Sequence, residues 1–115
     1  EEGETLTLTV PVGSTRKQQV EVAFGGADET GLAIVTFTST CGPATEQNSM
    51  ALLRHNTKLV HGAFAVEDRG GAPQLVVRAN LLAETLDPLE VTRVVGSIAW
   101  QADQVEARLL GGDEN

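Results

Sequence analysis

Apolar and polar residues alternate at the start of the chain, with Leu6, Leu8, Val10 and Val12 interleaved with Thr5, Thr7 and Thr9. A period of two is the mark of a strand with one buried face. Pro11 has no amide hydrogen, so this strand ends there or lies at a sheet edge. Gly13-Ser14-Thr15 makes a turn, and Val20, Val22 and Phe24 then alternate with Gln19, Glu21 and Ala23 in a second strand closed by Gly25-Gly26-Ala27-Asp28. The third run, Leu32 to Thr40, is apolar on both sides: Leu32 and Ile34 on one, Ala33, Val35 and Phe37 on the other. Such a strand is central or covered on both faces. The connections are too short for crossover helices, which predicts an antiparallel meander.

Cys41-Gly42-Pro43 breaks the sheet, with Pro43 expected in the first turn of a short helix. Thr45 to Arg54 supplies helix formers, with Met50, Leu53 and either Ala44 or Glu46 along one side. His55-Asn56 ends that helix, because Asn tolerates the left-handed terminal conformation. Leu59 to Val66 returns to strand, Asp68-Arg69-Gly70-Gly71 turns, and Leu75, Val77, Ala79 and Leu81 alternate with Val76, Arg78 and Asn80 to complete a hairpin. The last helix is the most strongly specified element. Asp87 is its cap, Pro88 fits the first helical position and Glu90 gives a capping-box-like start. From there Val91, Val94, Val95, Ile98, Ala102, Val105 and Leu109 form one apolar stripe, which Gly111-Gly112 terminates. The order βββ-α-ββ-α predicts an α+β fold: an antiparallel sheet of about five strands with two helices on one face, in a single domain over residues 1–115.

A second, thinner apolar line lies behind the stripe: Leu89, Gly96, Trp100 and Ala107. Glycine in a helix costs about 1 kcal/mol against alanine, so Gly96 predicts the close approach of another element. Tryptophan is enriched at interface hot spots. These four residues are therefore the expected protein-binding surface, covered by an absent N-terminal helix, a second copy of the chain or an external partner, with simple partial burial of Trp100 as the plainer alternative. The threonines at 5, 7 and 9, with those at 36, 38 and 40, suit an exposed sheet face, whose edge strand can accept a peptide by strand addition.

Composition narrows the function. In 115 residues the net charge is −8, from 16 acidic and 8 basic side chains, which repels phosphate backbones and anionic lipid. Aromatics make up 3% of the chain (Phe24, Phe37, Phe64 and Trp100), too few for a base-stacking platform. Neither nucleic acid nor membrane is an expected partner; an acidic adaptor would accept a basic or amphipathic protein segment. No run approaches the ~18 apolar residues of a membrane span, and no charged-then-apolar leader is visible. Cys41 is the one cysteine, so no internal disulfide or cysteine-rich metal site forms, and a cytoplasmic location is the expectation. The chain starts at Glu1 rather than Met, so an upstream segment is expected to have been removed or omitted.

Few side chains in the chain are placed in a pattern that suggests chemistry. Cys41, His55 and His61 are the obvious nucleophile and base candidates, but Cys41 lies in a Cys-Gly-Pro turn with nothing nearby in sequence to activate it. Two histidines lack a third metal ligand. Glu67-Asp68 lies in a turn and Asp113-Glu114 near the end of the chain, where charge is normally solvated. Gly25-Gly26 and Gly70-Gly71 do not lead into a helix followed by lysine, so phosphate binding has no support. No cofactor is expected. A Cys41-dependent hydrolase is the remote alternative.

Met50-Ala51-Leu52-Leu53-Arg54-His55-Asn56, then Gly62-Ala63-Phe64-Ala65-Val66, the hairpin, and Leu86-Asp87-Pro88-Leu89-Glu90 leading to Ile98-Ala99 and Ala102-Asp103 resemble the type III secretion chaperone-like family, the Tir-chaperone and YbjN-type domains. The resemblance spans about Thr5 to Leu110. Members of that family usually begin with an amphipathic helix, whereas here Leu6 comes almost at once; that helix lies in a segment not present, or the chain is a shortened variant. The resemblance implies a curved sheet flanked by helices, and a homodimeric, non-enzymatic binder of an unfolded or peptide-like segment of another protein. The alternative within the same fold is a regulatory or structural domain with no client.

Overall fold

The structure is a computed structural model that describes residues 4–108. Its elements are β1 (Thr5–Val12), β2 (Arg16–Ala27), β3 (Ala33–Pro43), α1 (Glu46–His55), β4 (Ala63–Arg69), β5 (Ala72–Leu82) and α2 (Pro88–Glu106). The five strands form one antiparallel sheet in the spatial order β1-β2-β3-β5-β4, which is the expected α+β fold with the expected element order. The doubly apolar β3 is indeed the central strand. Pro11 is accommodated within β1, which continues to Val12 because β1 is an edge. Gly70 and Gly71, at φ 60° and 84°, form the two-residue turn of the β4–β5 hairpin, a conformation that suits glycine.

Helix α2 lies over the face that carries Val20, Val22, Val35, Phe37, Leu75 and Val77. The expected stripe is the buried one: Val94, Val95, Ile98, Ala102 and Val105 are buried and Val91 is half-buried. Ala99 and Asp103 join them. Leu109 and Gly111-Gly112 lie outside the described residues. Asp87 caps α2 by accepting the Leu89 amide at 3.2 Å. The full reciprocal box forms instead at α1, where Thr45 Oγ1 accepts the Asn48 amide at 3.1 Å and Asn48 Oδ1 accepts the Thr45 amide at 2.8 Å.

Three local expectations are corrected. Pro43 does not open α1; it ends β3 opposite Gln74, after a register shift between Thr40 and Gly42. The segment from Leu59 to Gly62 is not strand. Asn56–Lys58 forms a 3-10 turn, and β4 begins at Ala63 after Gly62 takes φ +76°. A Cβ at Gly62 would sit 3.0 Å from the Arg78 carbonyl oxygen and 3.2 Å from Ile98, so glycine is required there for space as well as for backbone. Asn56 is not left-handed either, with φ −56°. Its side chain instead bridges to β4, where Oδ1 accepts the Phe64 amide at 2.7 Å and Nδ2 donates to the Phe64 carbonyl at 3.2 Å. The carboxamide thus pairs with β4 as a neighbouring strand would and fixes where α1 ends relative to the sheet.

Candidate functional site

Helices α1 and α2 lie on the same face of the sheet and leave a groove of about 340 Å³ between them. Its α1 wall is Ala51, Leu52 and His55; its other wall is Trp100, Gln101, Gln104 and Val105 on α2, with Arg108 just beyond; Phe64 on β4 lies between the two. The His55 and Phe64 rings have centroids 6.0 Å apart and are tilted by 56°. Trp100 is 51% exposed, which leaves much of its indole in contact with solvent at the groove's mouth. Elsewhere on α1, Met50 and Leu53 are also more than half exposed, at 51% and 55%. Leu52 is the apolar side chain of α1 that turns furthest inward; Leu53 edges a small pocket with Ser49, Phe64 and Leu75, and the expected Met50–Leu53 side stays more than half exposed.

Of the four residues expected at a binding surface, the structure brings only Trp100 to this groove. Leu89 is exposed in the first turn of α2, Gly96 is exposed, and Ala107 is half-buried near the helix's end. A Cβ added at Gly96 would meet nothing within 4 Å, so among the described residues no element makes the close approach that its glycine suggested. The opposite wall of the groove escapes sequence reasoning. Ala51 carries no signal of its own and His55 stands out only as a candidate base, since their relation to Trp100 depends on how two helices separated by a hairpin settle on one sheet.

A second concavity of about 390 Å³ sits where β2 and β3 part. Their ladder runs from Glu21↔Thr38 towards Ala27↔Ala33 and is absent before Glu21. There, side chains take over from the backbone: Ser39 Oγ donates to the Gln19 carbonyl at 2.7 Å, and Gln18 Nε2 donates to the Thr40 carbonyl at 3.0 Å. The lining is mixed in charge, with Lys17 and Arg69 against Glu21 and Glu106. Arg69 bonds Glu67 at 2.6 Å and Glu21 at 3.0 Å; these carboxylates, Glu67 first, hold its guanidinium charged more firmly than usual.

Cys41 opens into this second concavity but is only 1% exposed. Burial, reinforced by the Glu106 carboxylate, pushes its thiol up to about 12, so at neutral pH it stays protonated. No histidine lines that concavity: His55 belongs to the α1–α2 groove. An ion pair that the sequence did not suggest completes the lower end of α2. The Arg16 guanidinium forks onto Asp103, Nε at 2.9 and 3.2 Å and Nη2 at 2.7 Å. Bonding to this carboxylate raises the Arg16 guanidinium above its usual value. Asp103 lies on the buried face of α2, where an unpaired carboxylate would be costly, so the β1–β2 turn supplies a cation from 87 residues away.

Among the described residues, no group of three or more His, Cys, Asp or Glu side chains is placed to hold a metal ion. No helix among them is long and apolar enough to cross a membrane. No family model matches the chain, and no curated protein matches it.

Proposed function

We propose that this domain is a non-enzymatic protein-binding module, chaperone-like or adaptor-like, that holds a segment of a partner protein and works as a homodimer. The observation that carries the reading is Trp100, half-exposed at the mouth of the α1–α2 groove. Leaving an indole in water forgoes burial free energy on the order of 2 kcal/mol, which a partner's apolar side chain would recover. The net charge of −8 favours a basic amphipathic segment over an acidic one. The resemblance to type III secretion chaperone-like domains points the same way. A lone buried thiol suits a reducing compartment, and on that ground we place the domain in the cytoplasm. The thiol-hydrolase alternative has little behind it, given a protonated Cys41 with no histidine in its cavity.

Trp100 is the sole tryptophan and therefore its own reporter. Titration with a synthetic amphipathic Leu/Lys helical peptide should shift its emission saturably. Ala51→Glu, at an exposed position on the opposite wall, should weaken that binding at least about tenfold through lost packing and a buried charge. Emission that stays constant up to millimolar peptide, or an Ala51→Glu variant that binds as wild type, would remove the groove from the proposal.

A further inference from the structure

The two edges of the sheet are built differently. Edge strand β4 carries Glu67, Asp68 and Arg69 within seven residues, and charges of this kind keep an edge from pairing with another chain. Edge strand β1, Thr5–Val12, carries no charged residue over eight, and the sequence stays uncharged from Thr5 to Thr15. Leu6 and Leu8 point to the helix-covered face, opposite Val22 and Val20, yet remain 51% and 38% exposed.

The direction of the free backbone groups follows from the ladder. Glu4 lies opposite Phe24 in the same register, and its carbonyl accepts the Phe24 amide at 2.9 Å. In an antiparallel pair, residues alternate between those that bond their partner strand and those that face away. Glu4, Leu6, Leu8 and Val10 therefore bond β2, and Thr5, Thr7 and Thr9 present N–H and C=O outward. Pro11 falls in the outward set, where its missing N–H costs β1–β2 nothing and stops any pairing from extending further.

The outward strand Thr5-Leu6-Thr7-Leu8-Thr9 reads the same in both directions. We infer that β1 is a dimer edge: it pairs antiparallel with β1 of a second copy about a twofold axis at Thr7. In that register Thr7 faces Thr7, Thr5 faces Thr9, and Leu6 faces Leu8. Each facing threonine pair has its free donor and acceptor aimed at the other strand, so both bonds of every such pair form. The leucines of both copies meet on one face and cover each other, which is the isologous, self-complementary match that a twofold interface requires. Sliding the strands one pair towards Thr5 loses a facing threonine pair, and sliding them the other way brings in Pro11. A charged peptide finds no counter-charge on this edge, and a second copy fits it position by position. The two five-stranded sheets then join into one continuous sheet with helices on the same side. The contact is small for a stable dimer, so association is concentration-dependent. This deepens the homodimer part of the proposed function and is independent of the groove.

The test is light scattering of the purified chain over a hundredfold concentration range, on wild type and Thr7→Pro. Thr7→Pro removes an outward N–H without touching the β1–β2 ladder, and it should weaken dimerisation at least about tenfold. Trp100→Glu should leave the mass unchanged. Thr7→Cys should cross-link to itself under mild oxidation, because facing residues in a bonded pair lie about 5.5 Å apart, within disulfide reach. Thr5→Cys and Thr9→Cys should cross-link when mixed and not singly, and buried Cys41 will not compete. A chain monomeric at every concentration overturns the inference. So does a dimer that Trp100→Glu dissociates while Thr7→Cys fails to cross-link. If Thr7→Pro misfolds, the cysteine pattern alone decides. Loss of dimerisation with intact peptide binding would leave the groove reading standing.

Discussion

Helices α1 and α2 share one face of the sheet, and both start from a side-chain cap, but they depend on the sheet to very different degrees. Helix α2 has 19 residues and buries Val94, Val95, Ile98, Ala99, Ala102, Asp103 and Val105. Helix α1 has 10 residues and no buried one. Its attachment rests on half-buried Leu52, the Thr45–Asn48 box at one end and the Asn56 clip at the other. A helix this short is marginal by itself, and tertiary packing normally supplies the difference. Adaptability therefore resides in α1. The groove has one wall that is part of the core and one that is held by its ends, and a segment with few buried contacts opens locally at lower free energy than the fold as a whole. A site of this kind can adjust to an occupant by moving α1 while α2 keeps its place.

The contrast between the helices breaks first if α2 turns out to be dispensable. Ile98 is fully buried and packs beside Gly62. Ile98→Ala should cost about 2–5 kcal/mol, the usual range for deleting a buried branched side chain with its cavity term, measured by urea unfolding with the denaturant slope unchanged. A loss under about 1 kcal/mol would mean that the α2 wall is not the fixed one.

The same contrast explains what is legible in the sequence. The strands and the α2 stripe are written as local periods, two and 3.6 residues, and each period repeats often enough to fix the buried face. Val94, Val95, Ile98, Ala102 and Val105 are readable for that reason. Helix α1 has too few turns for its period to fix a rotation, and the bulk of Met50 and Leu53 outweighs Leu52 in the sequence pattern. Its true rotation comes from the Thr45–Asn48 box and from Asn56 meeting Phe64. The backbone tolerance of Asn56 suggests a terminator, whereas its carboxamide is what the fold uses. Asp103 does carry a signal, being a carboxylate on an apolar face, but nothing local says that Arg16 answers it. Trp100 stands out by being the only tryptophan; the wall facing it is long-range information. Among the described residues no element crowds Gly96, where an added Cβ would meet nothing within 4 Å.

A sharper test of the α1 wall is its clip. Asn56→Ala removes both hydrogen bonds to Phe64 and leaves its amide and carbonyl to find new partners, a loss of about 1–3 kcal/mol. Asn56→Asp keeps the acceptor for the Phe64 amide and loses the donor, so it should fall between the two. Hydrogen exchange locates the effect: the Phe64 amide should lose protection in Asn56→Ala, while the amides of α2 around Ile98 change only as global stability does. Equal loss along both helices would show that α1 and α2 open as one unit, and the distinction between a fixed and an adaptable wall would fail.

The smallest effect is expected at Leu53 on α1. Leu53 is more than half exposed, so Leu53→Ser gives up only the partial contact that its side chain makes at the small apolar pocket it shares with Phe64 and Leu75. Its unfolding free energy should fall by no more than about 1 kcal/mol, because roughly half of a leucine's burial free energy is at stake. The measurement is informative because it is made at two protein concentrations. A loss above about 1.5 kcal/mol that grows with concentration would mean that Leu53 is covered by a second copy, since association stabilises by mass action. That outcome would move the dimer contact from the uncharged β1 edge to the α1 side of the molecule. The same small loss at both concentrations leaves Met50 and Leu53 uncovered by a second copy, on the helix that has the fewer buried contacts.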